Sequence, residues 1–111
     1  MLCNELAFAA LKKDIDKALA YADRALAYAR EAYADREVLK AMNLRGDAFV
    51  KKKDLPAAEK AYKDAFTLLK TAPDRELEGR THHNFGKLAQ TRGDTTAAIR
   101  YYEQAFSIRE S

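Results

Sequence analysis

Near-copies of one segment recur at a fixed interval of 40 residues, and a chain written on such a period folds as an array of like units. Residues 13–26, 53–66 and 93–106 align without a gap. Four positions keep strict register: Asp14, Asp54 and Asp94; Ala18, Ala58 and Ala98; Ala25, Ala65 and Ala105; then Leu26, Phe66 and Phe106. The aspartate suits a helix N-cap, where a side-chain oxygen meets otherwise unbonded N–H groups. Two alanines seven residues apart fall on one helical face, where only a methyl group fits between packed helices. The large apolar residue after the second alanine fills the neighbouring gap.

Upstream of the central copy stands Leu44-Arg45-Gly46-Asp47-Ala48-Phe49, and upstream of the third Asn84-Phe85-Gly86-Lys87-Leu88-Ala89, so two glycines are also 40 apart. Together these residues resemble the tetratricopeptide repeat, a helix-turn-helix unit, over essentially the whole chain. The resemblance implies an all-α fold, an α-α superhelix (TPR solenoid) of three helix-turn-helix repeats in one domain. The units are expected at about residues 1–34, 35–73 and 74–111. It also implies that the glycine lets the two helices of a unit approach closely. Leu6 replaces that glycine in the first unit, and Arg45 stands at a usual leucine, leaving Leu44 to do that packing.

Helices are expected from about 2 to 12 and from the turn at Lys12–Asp14 to about Ala34. Asp35 reads as the N-cap of the next, which ends in the Lys51-Lys52-Lys53 turn. Pro56 belongs in a first helical turn, where its missing N–H is harmless, and Pro73 stops the helix before it. The last pair is expected over about 75–91 and 95–109, separated by Gly93 in a left-handed stop. Asp74-Arg75-Glu76 repeats Asp35-Arg36-Glu37 at 39 rather than 40, which predicts a turn one residue shorter before Asp74 and a longer helix after it.

Charge and composition narrow the function. The 111 residues carry 20 basic and 17 acidic side chains, net +3, with the signs interleaved. That balance does not require nucleic acid as partner. The Lys51–Lys53 run lacks interleaved aromatics and reads as a solvated turn. One cysteine, Cys3, cannot close an internal disulfide, so a cytoplasmic setting is expected. No apolar run approaches the ~20 residues that cross a bilayer.

Catalysis finds no residues to stand on. His82 and His83 are adjacent and so point about 100° apart on a helix; with Glu78 they still lack a third ligand. Cys3 has no histidine in its unit, and the two serines, Ser107 and Ser111, fall at the C-terminus. Neither an enzyme nor a cofactor is expected.

The family resemblance implies a groove lined by the first helix of each unit, which receives a peptide or partner helix. In this register the groove residues are Lys40, Asn43, Asp47, Val50 and Lys51 from the second unit. The third supplies Arg80, His83, Asn84, Lys87, Gln90 and Thr91, and the first an apolar wall of Cys3, Ala7, Ala10 and Leu11. A clamp for a chaperone's terminal carboxylate, known in part of the family, would use Cys3, Ala7, Leu44, Arg80 and Asn84; only Arg80 suits it. The expected role is a scaffold binding a protein or peptide, acidic in character. One alternative is a peptide- or metabolite-sensing segment of a bacterial transcription regulator or sensor kinase, since units near 40 residues resemble those of bacterial signalling proteins. A second is an RNA-associated helical repeat. Apolar side chains at both ends, Leu2, Leu6 and Leu11 at one and Ile99, Tyr102, Phe106 and Ile108 at the other, predict that the chain self-associates through an end or is an excerpt of a longer array.

Overall fold

In a computed structural model the described residues are 2–10 and 14–110. They form α1 (Leu2–Ala10), α2 (Ile15–Glu31), α3 (Asp35–Lys51), α4 (Leu55–Thr71), α5 (Arg75–Thr91) and α6 (Thr95–Glu110), with no strand among them. The helices pair in sequence, and α3 packs against α1, α2, α4 and α5, so it is the spine of the assembly. No helix among the described residues is long and apolar enough to cross a membrane.

The aspartates at the 40-residue interval do cap helices. Asp14, Asp54 and Asp94 accept bonds from the N–H groups of Lys17, Ala57 and Ala97 at 3.2, 3.3 and 3.1 Å. Each bond satisfies one of the N–H groups that a helix start leaves without an internal partner. The register alanines are buried in all three copies.

Three helices share one ending. Tyr33, Lys53 and Gly93 take positive φ of 54°, 65° and 80°. The next residue then reaches back: Ala34 to Ala29, Asp54 to Phe49 and Asp94 to Ala89, each N–H to carbonyl at 2.9 Å. This left-handed cap absorbs carbonyls that a helix end would leave bare. It also ends α2 at Glu31, short of the expected Ala34. At the end of α4 the equivalent residue is Pro73, which has no N–H and a fixed negative φ, so that cap cannot form.

Two expectations are corrected. Asp35 is the first residue of α3 rather than its cap; Ala34 holds the cap position and makes no side-chain bond. Asp74, one residue before α5, does cap, accepting from Leu77 N–H at 3.1 Å. Consequently α3 and α5 both contain 17 residues, and the turn before Asp74 is not shortened. The acid has moved by one place while the helix boundaries keep the 40-residue interval.

Within the second and third pairs the glycines lie under tyrosine rings. A Cβ on Gly46 would stand 2.3 Å from the Tyr62 ring, and one on Gly86 2.6 Å from that of Tyr102. Tyr62 is buried and meets Phe85, which stacks on Phe66 at 4.8 Å, and so joins the second pair to the third. In the first pair the same two positions hold Leu6 and Ala22.

We expect Gly46→Ala to lower stability by ~1–3 kcal/mol through overpacking. Helix propensity alone would push the other way, by ~1 kcal/mol in favour of alanine. Chemical denaturation therefore isolates the ring contact: a stabilised variant would mean that the ring does not need the missing Cβ.

Candidate functional site

A cleft of about 630 Å³ opens across α3 and α5. That volume lies within the ~300–1,000 Å³ of small-ligand sites. Of the nine residues expected from the sequence, Asp47, Lys51, Arg80, His83, Asn84 and Lys87 line it. Helical spacing explains the convergence, because Arg80, His83, Asn84 and Lys87 recur at intervals of three and four on one face of α5.

Lys40, Asn43 and Gln90 are not on the cleft wall. Lys40 turns to the carboxylate of Glu37, at 3.5 Å. Gln90 accepts from the Tyr102 hydroxyl at 3.0 Å. Asn43 is 1% exposed, inside the contact between α3 and α5. Its amide donates to Leu39 O and to Thr81 Oγ1 at 3.1 and 3.0 Å, while its carbonyl oxygen accepts from Asn84 Nδ2 at 2.9 Å. Thr81 in turn donates to Leu77 O. The amide is spent on the joint between two helix pairs and is not open to a ligand.

The apolar wall expected from the first unit also differs. Ala7 is buried in a cluster with Ala18, Ala22, Leu44 and Ala48. Leu11 and the side chain of Ala10 lie outside the described residues. Phe8 of α1 faces the cleft instead, joined on its wall by Val50, Tyr62, Glu76 and Arg109. Sequence reasoning missed Phe8, Tyr62, Glu76 and Arg109. For Tyr62 a signal existed, since Tyr62 and Tyr102 each follow a register glycine by the same interval.

The cleft is electropositive. Lys51, Arg80, Lys87 and Arg109 make no ion pair among the described residues, whereas Arg36, Arg45, Lys52 and Arg92, elsewhere on the surface, each hold a carboxylate. Both acids on the wall are already engaged. Glu76 pairs with Arg36 at 3.1 Å, and Asp47 accepts from the Tyr62 hydroxyl. Burial raises the Asp47 carboxyl above its ordinary range, against the opposing pull of the Tyr62 hydroxyl and of Lys87, Arg80 and Lys51. Burial also raises the Tyr62 phenol, so it stays a proton donor to Asp47.

His83 packs against the Tyr102 ring at 5.2 Å. Its imidazole is held below the ordinary value by burial first, then by the charges of Lys87, Arg109 and Arg80. His82, its neighbour, points elsewhere, edge-on to Phe66 at 4.7 Å with Nδ1–H donating to Glu78 O at 2.9 Å. No group of three or more metal-ligating side chains occurs among the described residues.

Compared with known proteins, residues 2–71 match a family model described as tetratricopeptide repeat, and residues 79–111 match a second model of the same description. No curated protein and no solved structure matches the chain.

The lowered imidazole predicts a pH dependence. As pH falls, unfolded chains protonate His83 near pH ~6.5, while the folded chain resists to lower pH. The unfolded state then binds more protons and native stability declines through that window. In His83→Gln this component is gone. Comparing the two by thermal unfolding from about pH 7.5 to about pH 5, the wild type should lose ground relative to the variant. A pH-independent difference would mean that neither burial nor the cleft cations hold the His83 imidazole down.

Proposed function

The chain belongs to the tetratricopeptide repeat family, and from that premise we propose that it is a non-catalytic scaffold, one domain of three units, that captures an acidic segment of a partner protein in the cleft between α3 and α5. Tetratricopeptide repeats are generally protein–protein interaction modules. The observation that carries the finer reading is the group of four cations, Lys51, Arg80, Lys87 and Arg109, that face one cleft without ion pairs among the described residues. A carboxylate-bearing ligand would supply the missing partners. Charge-assisted bonds to carboxylates are stronger than neutral ones, and complementary charge steers encounter.

Replacing Arg80 and Lys87 together by glutamate tests the reading. Both side chains lie outside the core clusters, so folding should change by roughly 0.5 kcal/mol or less per site. Capture of partners from the source extract should fall, because the reversed charges repel an acidic ligand. Identical partner profiles for wild type and variant would remove the cleft from consideration.

A second reading, self-association, draws on the outer face of α6. Phe106 is 66% exposed and Ile99 52% exposed. Phe106 stands 40 residues beyond Phe66, which stacks on Phe85 of the following pair. The face that joins pairs inside the chain is thus repeated without a cover among the described residues. Light scattering should detect a concentration-dependent dimer that Phe106→Asp abolishes; a monomer at every concentration would dismiss this reading.

A further inference from the structure

Phe8 departs from the repeat in a way that bears on the ligand. Its equivalents at the 40-residue interval, Ala48 and Leu88, are buried, with Leu88 inside the cluster of Tyr62 and Phe85. Phe8 is 56% exposed, and its ring lies on the wall of the cleft. The first pair has Leu6 at the position that glycine holds in the other two. There Leu6 is 38% exposed, and Ala7, the next residue along, takes the buried place. α1 therefore presents a different face to its neighbours from that of α3 or α5, and a large aromatic side chain is left open to water beside a cationic surface.

An aromatic ring exposed in a concavity keeps its whole apolar payload for whatever enters. Val50 and the Tyr62 ring extend the apolar part of the same wall. We propose, resting on the cleft reading above, that the ligand is an acidic peptide segment carrying one large apolar side chain, which seats against Phe8 and Val50 while its carboxylates meet Arg80, Lys87 and Arg109. Phe8 supplies the selectivity: a purely acidic chain satisfies half of the cleft. A single strand of RNA could stack on Phe8 and pair with the same cations. Phe8 is the exposed ring on this wall among the described residues, the Tyr62 ring being buried, so successive bases find no stacking platform and a peptide with a single apolar anchor is favoured.

The test uses the chain itself and labelled ten-residue probes in a fluorescence binding titration. One peptide combines aspartate, glutamate and glycine with a central phenylalanine. A second has glycine in place of the phenylalanine, and a third has asparagine and glutamine in place of the acids. A single-stranded RNA of equal length is the fourth probe. The first peptide should bind best and lose about tenfold when its phenylalanine is removed, as expected for an aromatic anchor in a pocket. Phe8→Ala should cost the same factor against the first peptide and nothing against the second, a coupling that separates direct contact from general weakening. Circular dichroism of Phe8→Ala should remain that of the wild type, since the ring is largely outside the core. Equal affinity of Phe8→Ala for the first two peptides as in the wild type would overturn the role of Phe8, and if Arg80→Glu with Lys87→Glu still abolished binding, the cleft reading would survive it. Binding unaffected by the double reversal would overturn the cleft reading itself. Tighter binding of the RNA, with the same dependence on Phe8, or no binding by any peptide, would overturn the ligand class.

Discussion

The approach of Tyr62 to Gly46 governs how the second helix pair is built. The ring lies where a Cβ would otherwise stand, so the two helices close on an aromatic plate rather than on interleaved aliphatic chains. Packing at this density leaves no slack for an added methyl group. The contact has a second effect, because it carries the phenol through to the concave side, where its hydroxyl donates to Asp47. One cleft carboxylate is thereby engaged by a core residue. The third pair repeats the plate with Tyr102 and Gly86, but the hydroxyl meets Gln90, since Lys87 occupies the position equivalent to Asp47. In the first pair, Leu6 and Ala22 stand in place of glycine and tyrosine, and α1 turns another face inward.

Between the second and third pairs the joint is polar as well as aromatic. Asn43, Thr81 and Asn84 are buried: Asn43 and Thr81 bond to each other and to helix carbonyls, and Asn84 donates to the Asn43 carbonyl oxygen. An unpaired amide there would cost roughly 1–3 kcal/mol, so the network specifies register: sliding α5 along α3 would strand its members. Beside it, Phe66, Phe85 and Tyr101 form a stacked series that crosses from α4 to α6. The polar bonds set the alignment, and the rings supply the buried apolar area.

Charge is distributed by the same geometry. On the rims between helices, cation meets anion: Arg36 with Asp74 and Glu76, Lys52 with Asp16, Arg92 with Glu59. Those pairs occupy the carboxylates of Asp16, Glu59, Asp74 and Glu76. Asp74 shows how tightly: burial works to raise its carboxyl, yet the Leu77 N–H and the Arg36 guanidinium hold it below the ordinary range. Across the cleft the acids are either bonded inward or paired outward, so the cations of α3, α5 and α6 face the open volume together.

Much of the architecture was legible in the sequence because it rests on local chemistry. Aspartate at a cap, proline in a first turn, glycine at a left-handed stop and alanine at a crowded crossing each act within a few residues, and the 40-residue interval repeats them. The turn before Asp74 misled because an identical tripeptide had shifted by a residue while the helix boundaries had not. Six of nine expected residues line the cleft, four on α5 and two on α3, since spacing along each helix sets its face. What only the tertiary structure decided were matters of depth and neighbours. Asn43 and His83 share a register position, yet Asn43 is enclosed by α5 and bonds to it, while His83 has no further inner helix over it among the described residues and stays half-buried. Phe8, whose register equivalents Ala48 and Leu88 are buried, lies exposed on the cleft wall, with no counterpart among the described residues to the cluster that encloses Leu88. Helical periodicity determines which residues share a face; how far that face is covered depends on elements distant in the chain, and that coverage separates a core residue from one open to the cleft.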